Sequence, residues 1–110
     1  MSRVLKRLEE VLPVIVKTGK LVFGRNNVFW ALKNEPDKIK VIIIARNPPP
    51  GLEEELDRVL DTLDNPIKVF KSRKSNLELG ALCRRPHSVS ILAIYDFGSA
   101  PIDEEEILNV

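Results

Sequence analysis

Val41-Ile42-Ile43-Ile44-Ala45, continued by Arg46-Asn47-Pro48-Pro49-Pro50-Gly51, is the stretch that decides the fold class. Five apolar residues in a row, four of them β-branched, do not alternate with polar ones, so the run reads as a strand buried on both faces and central in its sheet. Such a strand needs a helical layer on each side. Beyond the prolines, Leu52, Leu56, Val59, Leu60 and Leu63 fall at helical spacing and form one apolar stripe. The acids Glu53, Glu54, Glu55, Asp57, Asp61 and Asp64 occupy the other side of that helix.

Toward the C-terminus, Ile67 to Phe70 reads as a third strand. Ser75-Asn76-Leu77-Glu78 has the spacing of a capping box, in which each side chain satisfies the other residue's free backbone N–H, so a short helix is expected from there to about Cys83. Ser88 to Tyr95 reads as a fourth strand, and residues 99–110 as an acidic, partly mobile tail. Toward the N-terminus, Val4, Leu8, Val11, Leu12 and Ile15 are helically spaced, with a break or fresh start expected at Pro13. Lys20 to Phe23 then forms a strand ending at Gly24, and Asn26 stands where a helix N-cap belongs. The alternation of helix and strand predicts a single-domain α/β protein, a three-layer α/β/α sandwich on a four-stranded sheet expected to be mixed. The one domain spans 1–110, with an N-terminal helical segment over 1–17.

A chain of 110 residues has room for one domain. The lone cysteine, Cys83, rules out an intramolecular disulfide, a CxxC redox pair and a cysteine zinc site, which fits a reducing compartment. No apolar run approaches the ~20 residues that span a bilayer, and the opening MSRVLKRLEE lacks the apolar core of a secretory signal. The expectation is a soluble, cytoplasmic protein with no membrane partner.

The net charge of +1 conceals a segregation. Residues 51–64 hold six acids and one base, and residues 96–106 hold five acids and none, so the remainder keeps 16 bases against 5 acids. One face of such a molecule suits a polyanion and another suits solvent. The same pattern also arises from ordinary solvated faces. On the polyanion reading, Glu53, Glu54 and Glu55 are expected to face away from the bound partner.

Two stretches imitate catalytic motifs. Gly19 to Asn26 has the glycine spacing of a phosphate-binding loop, but Arg25 and Asn26 stand where its lysine and hydroxyl belong, and Leu21-Val22-Phe23 is strand. Cys83 and His87 are four apart, yet Pro86 ends the helix between them, and a buried helix-end cysteine beside a loop histidine accounts for the pair. No enzymatic activity, metal, cofactor or small-molecule substrate is expected.

Two loops hold the stronger constellation. Gly24-Arg25-Asn26-Asn27 joins a strand to a helix N-terminus, where backbone N–H groups favour phosphate and asparagine amides can donate to and accept from base edges. Arg84-Arg85-Pro86-His87-Ser88 returns a helix to a strand with two bases, a rigid proline and a stacking ring, a set suited to kinked or single-stranded RNA. Each taken alone also reads as an ordinary turn. Arg46 and Asn47 leave the central strand on a loop that is either a stiff connection or a rigid presenting surface.

Thr18-Gly19-Lys20-Leu21-Val22-Phe23-Gly24, Val41 to Asn47, Leu79-Gly80-Ala81-Leu82-Cys83, Arg85-Pro86-His87-Ser88-Val89-Ser90 and Asp96-Phe97-Gly98-Ser99 occur in an order and spacing that resemble the kink-turn RNA-binding superfamily. Within it, the chain resembles the archaeal and eukaryotic large-subunit ribosomal protein branch called thirty-e. The resemblance implies an α/β/α sandwich that grips a sharply bent internal loop, with Gly24 to Asn27 at the sheared G·A pairs and Arg85 to Val89 over the extruded nucleotide. It implies a structural, ribosome-bound role, with ribosomal RNA and neighbouring ribosomal proteins as partners. The alternative it allows is a stand-alone kink-turn binder of a small ribonucleoprotein. Those stand-alone members typically read G-x-N-E with a lysine three residues later, where this chain has Asn27 and Trp30, with Lys33 one turn further on. Arg84 occupies a position where the family often has glycine, and a left-handed backbone there costs an arginine on the order of 1 kcal/mol. These departures favour a ribosomal protein held by several RNA contacts.

Overall fold

Val41–Ile44 forms a strand, β2, and all four of its side chains are buried. In the computed structural model, which describes residues 3–108, β2 pairs in parallel with β3 (Lys68–Lys71) and antiparallel with β4 (Ile91–Asp96). On the far side of β4 lies β1 (Lys20–Phe23), also antiparallel, so the order is β1-β4-β2-β3 and the sheet is mixed. The two central strands are the two most apolar, because their faces are both covered.

Side-chain alternation divides the core in two. Val41 and Ile43 of β2, with Leu92 and Ile94 of β4, meet α1 (Arg3–Thr18), α4 (Asn76–Leu82) and α5 (Glu104–Leu108). Ile42 and Ile44, with Ile91 and Ala93, meet α2 (Arg25–Asn34) and α3 (Leu52–Leu60) on the other face. Each fully buried isoleucine contributes about 1.5–3 kcal/mol, and a register slip of one residue would exchange the two sets.

Four local expectations are corrected. Helix α1 runs unbroken through Pro13, although the proline leaves the Glu9 carbonyl without its helical donor. Leu5, Leu8 and Leu12 before it and Ile15 after it lie on one fully buried stripe, and that packing holds the two halves in line. The N-cap of α2 is Gly24 and not Asn26, which sits in the first turn. Strand β3 starts at Lys68, one residue later than expected. Strand β4 starts at Ile91 because the Val89 N–H bonds to the Asn76 carbonyl and keeps Ser88 to Ser90 in the loop.

The capping box at the start of α4 is complete, with Glu78 N–H donating to Ser75 Oγ (3.1 Å) and Ser75 N–H to the Glu78 carboxylate (2.9 Å). That bond from the Ser75 backbone holds the Glu78 carboxyl below the usual carboxylate range. Within the segment read as a tail, α5 buries Ile107 in the α1 layer. Met1 and Ser2 of the N-terminal segment, and Asn109 and Val110 of the tail, lie outside the described residues. Among the described residues, no helix is long and apolar enough to cross a membrane.

Candidate nucleic-acid interface

Strands β1, β2 and β3 share one direction and β4 opposes them, so three strand ends and the start of β4 meet at one end of the sheet. Gly24–Asn27, Arg46–Asn47, Ser72–Lys74 and Arg84–Ser88 all emerge there. Backbone bonds lace them together: Gly24 N–H to the Ile91 carbonyl (2.9 Å), Ala45 N–H to Ser90 (2.9 Å) and Arg46 N–H to Lys74 (2.8 Å).

Gly24 has φ 92° and ψ 156°, a conformation nearly confined to glycine, and a Cβ there would meet nothing within 4 Å. The constraint is therefore backbone geometry and not crowding. Its carbonyl accepts the Val28 N–H (3.0 Å), the first bond of α2. Asn27 Nδ2 donates back to the Phe23 carbonyl (2.9 Å), which fixes the turn, while the exposed Asn26 amide makes no side-chain hydrogen bond among the described residues. Arg25 donates through Nε to Glu55 Oε1 (3.0 Å) and through its terminal nitrogen to the same oxygen. Glu55, expected to face away from the two-loop site, thus stands beside its first loop and partly neutralises Arg25. The closeness of α2 and α3 on one face, invisible in their separate sequences, produces this pair.

The second loop depends on a close approach. A Cβ on Gly80 of α4 would come within 2.2 Å of the His87 carbonyl oxygen, so only glycine lets the chain fold back there. The Gly80 carbonyl accepts the Arg85 N–H (2.9 Å). Arg84 bears the turn with φ 58°, alone among the described non-glycine residues in a positive φ. Pro86 and Ser88 are exposed, and His87 Nδ1 lies 3.0 Å from the Ser88 carbonyl.

The two loops face each other across a cleft of about 400 Å³, with Phe23, Gly24 and Asn27 on one side and Arg85, His87 and Ser88 on the other. The Arg85 guanidinium lies 4.7 Å from the Phe23 ring centre. Lys33 is exposed on α2, two turns beyond Asn26 and outside the cleft. Arg46 and Asn47 are exposed and also tie neighbouring segments together, Arg46 donating to the Arg73 carbonyl (3.2 Å) and Asn47 Oδ1 accepting the Asn76 N–H (2.8 Å) at the start of α4. Burial pushes the Cys83 thiol up to about 11, and no hydrogen bond joins it to His87.

The sequence reading passed over Arg73 and Lys74, which emerge at this same end of the sheet. Their signal was the basic run Lys71-Ser72-Arg73-Lys74 between a strand and a capping box. It also passed over Glu9, a buried acid on α1 that accepts the Ser72 hydroxyl and, at 3.3 Å, the Arg73 N–H, and so shapes that basic loop. Glu9 lies four residues after Leu5 and three before Leu12, on the apolar stripe itself, and that placement was legible.

A layered sandwich with basic loops gathered at one sheet end is the frame of a binding module, and the chain belongs to the ribosomal protein L7Ae/L30e/S12e/Gadd45 family, whose model matches residues 6–103 and so spans both loops. Within that family it is similar to large ribosomal subunit protein eL30 of Aeropyrum pernix, 35% identical over 98 residues that cover 89% of this chain and 94% of the relative. It is also similar to the protein of that name from Methanopyrus kandleri, 30% identical over 98 residues covering 89% and 86%, and from Archaeoglobus fulgidus, 33% over 87 residues covering 79% and 92%. These relatives are ribosomal proteins and not enzymes, the class expected from the sequence.

Proposed function

We propose that this protein is a structural constituent of the large ribosomal subunit, ribosome-bound in the cytoplasm, and that it holds a kinked, kink-turn-like rRNA element between the Gly24–Asn27 and Arg84–Ser88 loops. The observation that carries the reading is the cleft, in which the two loops meet with Arg85 lying on Phe23. The mechanism is selection of a bent RNA by a preformed surface, with no covalent step. Asn26, its amide uncommitted, reads a base edge beside the open backbone of Gly24. Arg85, Arg73 and Lys74 neutralise phosphates, and Pro86 and His87 cover the extruded nucleotide. Neighbouring ribosomal proteins complete the hold.

The test is gel-shift binding to an RNA hairpin carrying a three-nucleotide bulge beside tandem G·A pairs, against the same hairpin closed into a duplex. Sedimentation with large subunits through a high-salt gradient accompanies it. Preference for the bulged RNA and retention on the subunit are expected. Equal binding to both RNAs, with release from the subunit in high salt, would overturn the proposal.

A further inference from the structure

Helix α2, Arg25-Asn26-Asn27-Val28-Phe29-Trp30-Ala31-Leu32-Lys33-Asn34, is alone among the described α-helices in having no acidic side chain. It buries Val28, Phe29, Ala31 and Leu32 against the sheet and α3, yet leaves Trp30 58% exposed on its outward face. Packing does not require this, since the buried stripe is complete without the indole. Helical spacing sets Asn26 one turn before Trp30 and Lys33 almost one turn after it, and Asn34 donates to the Trp30 carbonyl (2.9 Å). A large π-face surrounded by amides and a cation, with no apolar neighbour on that face, suits a nucleobase flanked by phosphate better than an apolar protein surface.

We infer that Trp30 is a stacking platform for an unpaired base of the RNA seated in the two-loop cleft. The inference rests on the RNA-binding reading above and adds a third point of grip. Asn27, which lines the cleft, lies three residues before Trp30, so a strand leaving the cleft along α2 reaches the indole after about 4.5 Å of helix rise. Aromatic stacking tolerates any base, so this contact adds affinity for an exposed nucleotide without reading its identity.

Trp30 is the only tryptophan in the chain, and its emission reports the contact without a label. The full chain is titrated with the bulged hairpin and with its closed duplex, following emission, acrylamide quenching and gel shift together. The bulged RNA is expected to quench Trp30 and shield it from acrylamide over the concentrations at which it binds, and the duplex to do neither. Trp30→Ala should weaken bulged-RNA binding about tenfold with an unchanged salt slope, and Trp30→Phe should keep most of the affinity. If the bulged RNA binds with preference while emission stays constant and Trp30→Ala binds like the parent, stacking is wrong and the RNA-binding reading stands. If the parent shows no preference for bulged RNA, both fail. Shielding of Trp30 only in whole subunits, by a protein neighbour, also overturns the inference.

Discussion

The Arg85 guanidinium sits over the Phe23 ring at 4.7 Å, joining the end of β1 to the loop before β4. Phe23 is half-buried and Arg85 exposed, so the cation keeps hydrogen-bonding capacity toward a ligand while the ring fixes its position. A double-mutant cycle of Phe23→Leu and Arg85→Ala in urea should return a coupling of about 0.5–1 kcal/mol, the range of an exposed cation–π contact. Arg85→Ala should also lower the salt slope of RNA binding by about 1, through loss of one phosphate contact. An unchanged slope would show that the guanidinium serves only the fold.

Arg25 and Asn26 are neighbours with different expected roles, because Glu55 engages the first side chain and no group among the described residues engages the second. Asn26→Ala should reduce the preference for bulged over duplex RNA by roughly 1–3 kcal/mol with little change in salt slope. Arg25→Ala should weaken both RNAs only slightly. Glu55→Ala should release Arg25 to phosphate, tightening both and steepening the slope by about 1. Binding isotherms across a salt series separate these outcomes, and equal losses for Asn26→Ala on both RNAs would rule out base reading by this loop.

The return loop stores backbone strain at one residue and depends on close contact at another. Arg84→Gly removes a left-handed penalty of about 1–2 kcal/mol and adds an unfolded-state entropy cost of about 0.5–1 kcal/mol, so a net gain of up to about 1.5 kcal/mol is expected from urea midpoints. Gly80→Ala forces its Cβ against the His87 carbonyl and should cost about 1–3 kcal/mol. Amide exchange should rise selectively over residues 84–89. Uniform protection in the folded variant would show that Gly80 does not seat the loop.

The Tyr95 hydroxyl donates to Glu35 Oε1 at 2.8 Å. This bond, then Lys38, holds the Glu35 carboxyl below its usual range, while burial and then the same bond push Tyr95 up to about 12. For Glu35, lowered on folding, the contribution is present above its unfolded value near 4.5 and is lost as pH falls through the lower folded one. For Tyr95, raised on folding, it is present below 10 and lost as pH rises toward 12. Tyr95→Phe should therefore flatten stability against pH at both ends. Urea midpoints between pH 3 and pH 11 that run parallel to the parent's would refute the coupling.

How much of this was legible depends on the range of the interactions. The unbroken run Val41–Ala45, the stripe from Leu52 to Leu63 and the Ser75–Glu78 capping box are written within a few residues, since periodicity and capping act between i and i+4. They were enough for helix-covered faces, a central β2 and the order of the elements. The candidate loops were visible for the same reason, as glycine, proline and basic residues clustered at expected strand ends. The continuity of α1 through Pro13 was not, because local chemistry argues for a break and only the sheet beneath the helix overrides it.

By itself the sequence determined where along the chain the four strands fall to within a few residues, which helix faces are apolar and which short segments are rich in bases. The tertiary structure alone decided that Arg25 meets Glu55, 30 residues on, that Glu9 shapes the loop at Ser72, 63 residues on, and that Gly80 lies under His87. It also decided that Arg85 rests on Phe23, across most of the chain. Pairing partners of this kind are set by strand order and helix placement, which bring distant segments to one end of the sheet, and no periodicity in the chain encodes which of two exposed charges will be left free once they arrive.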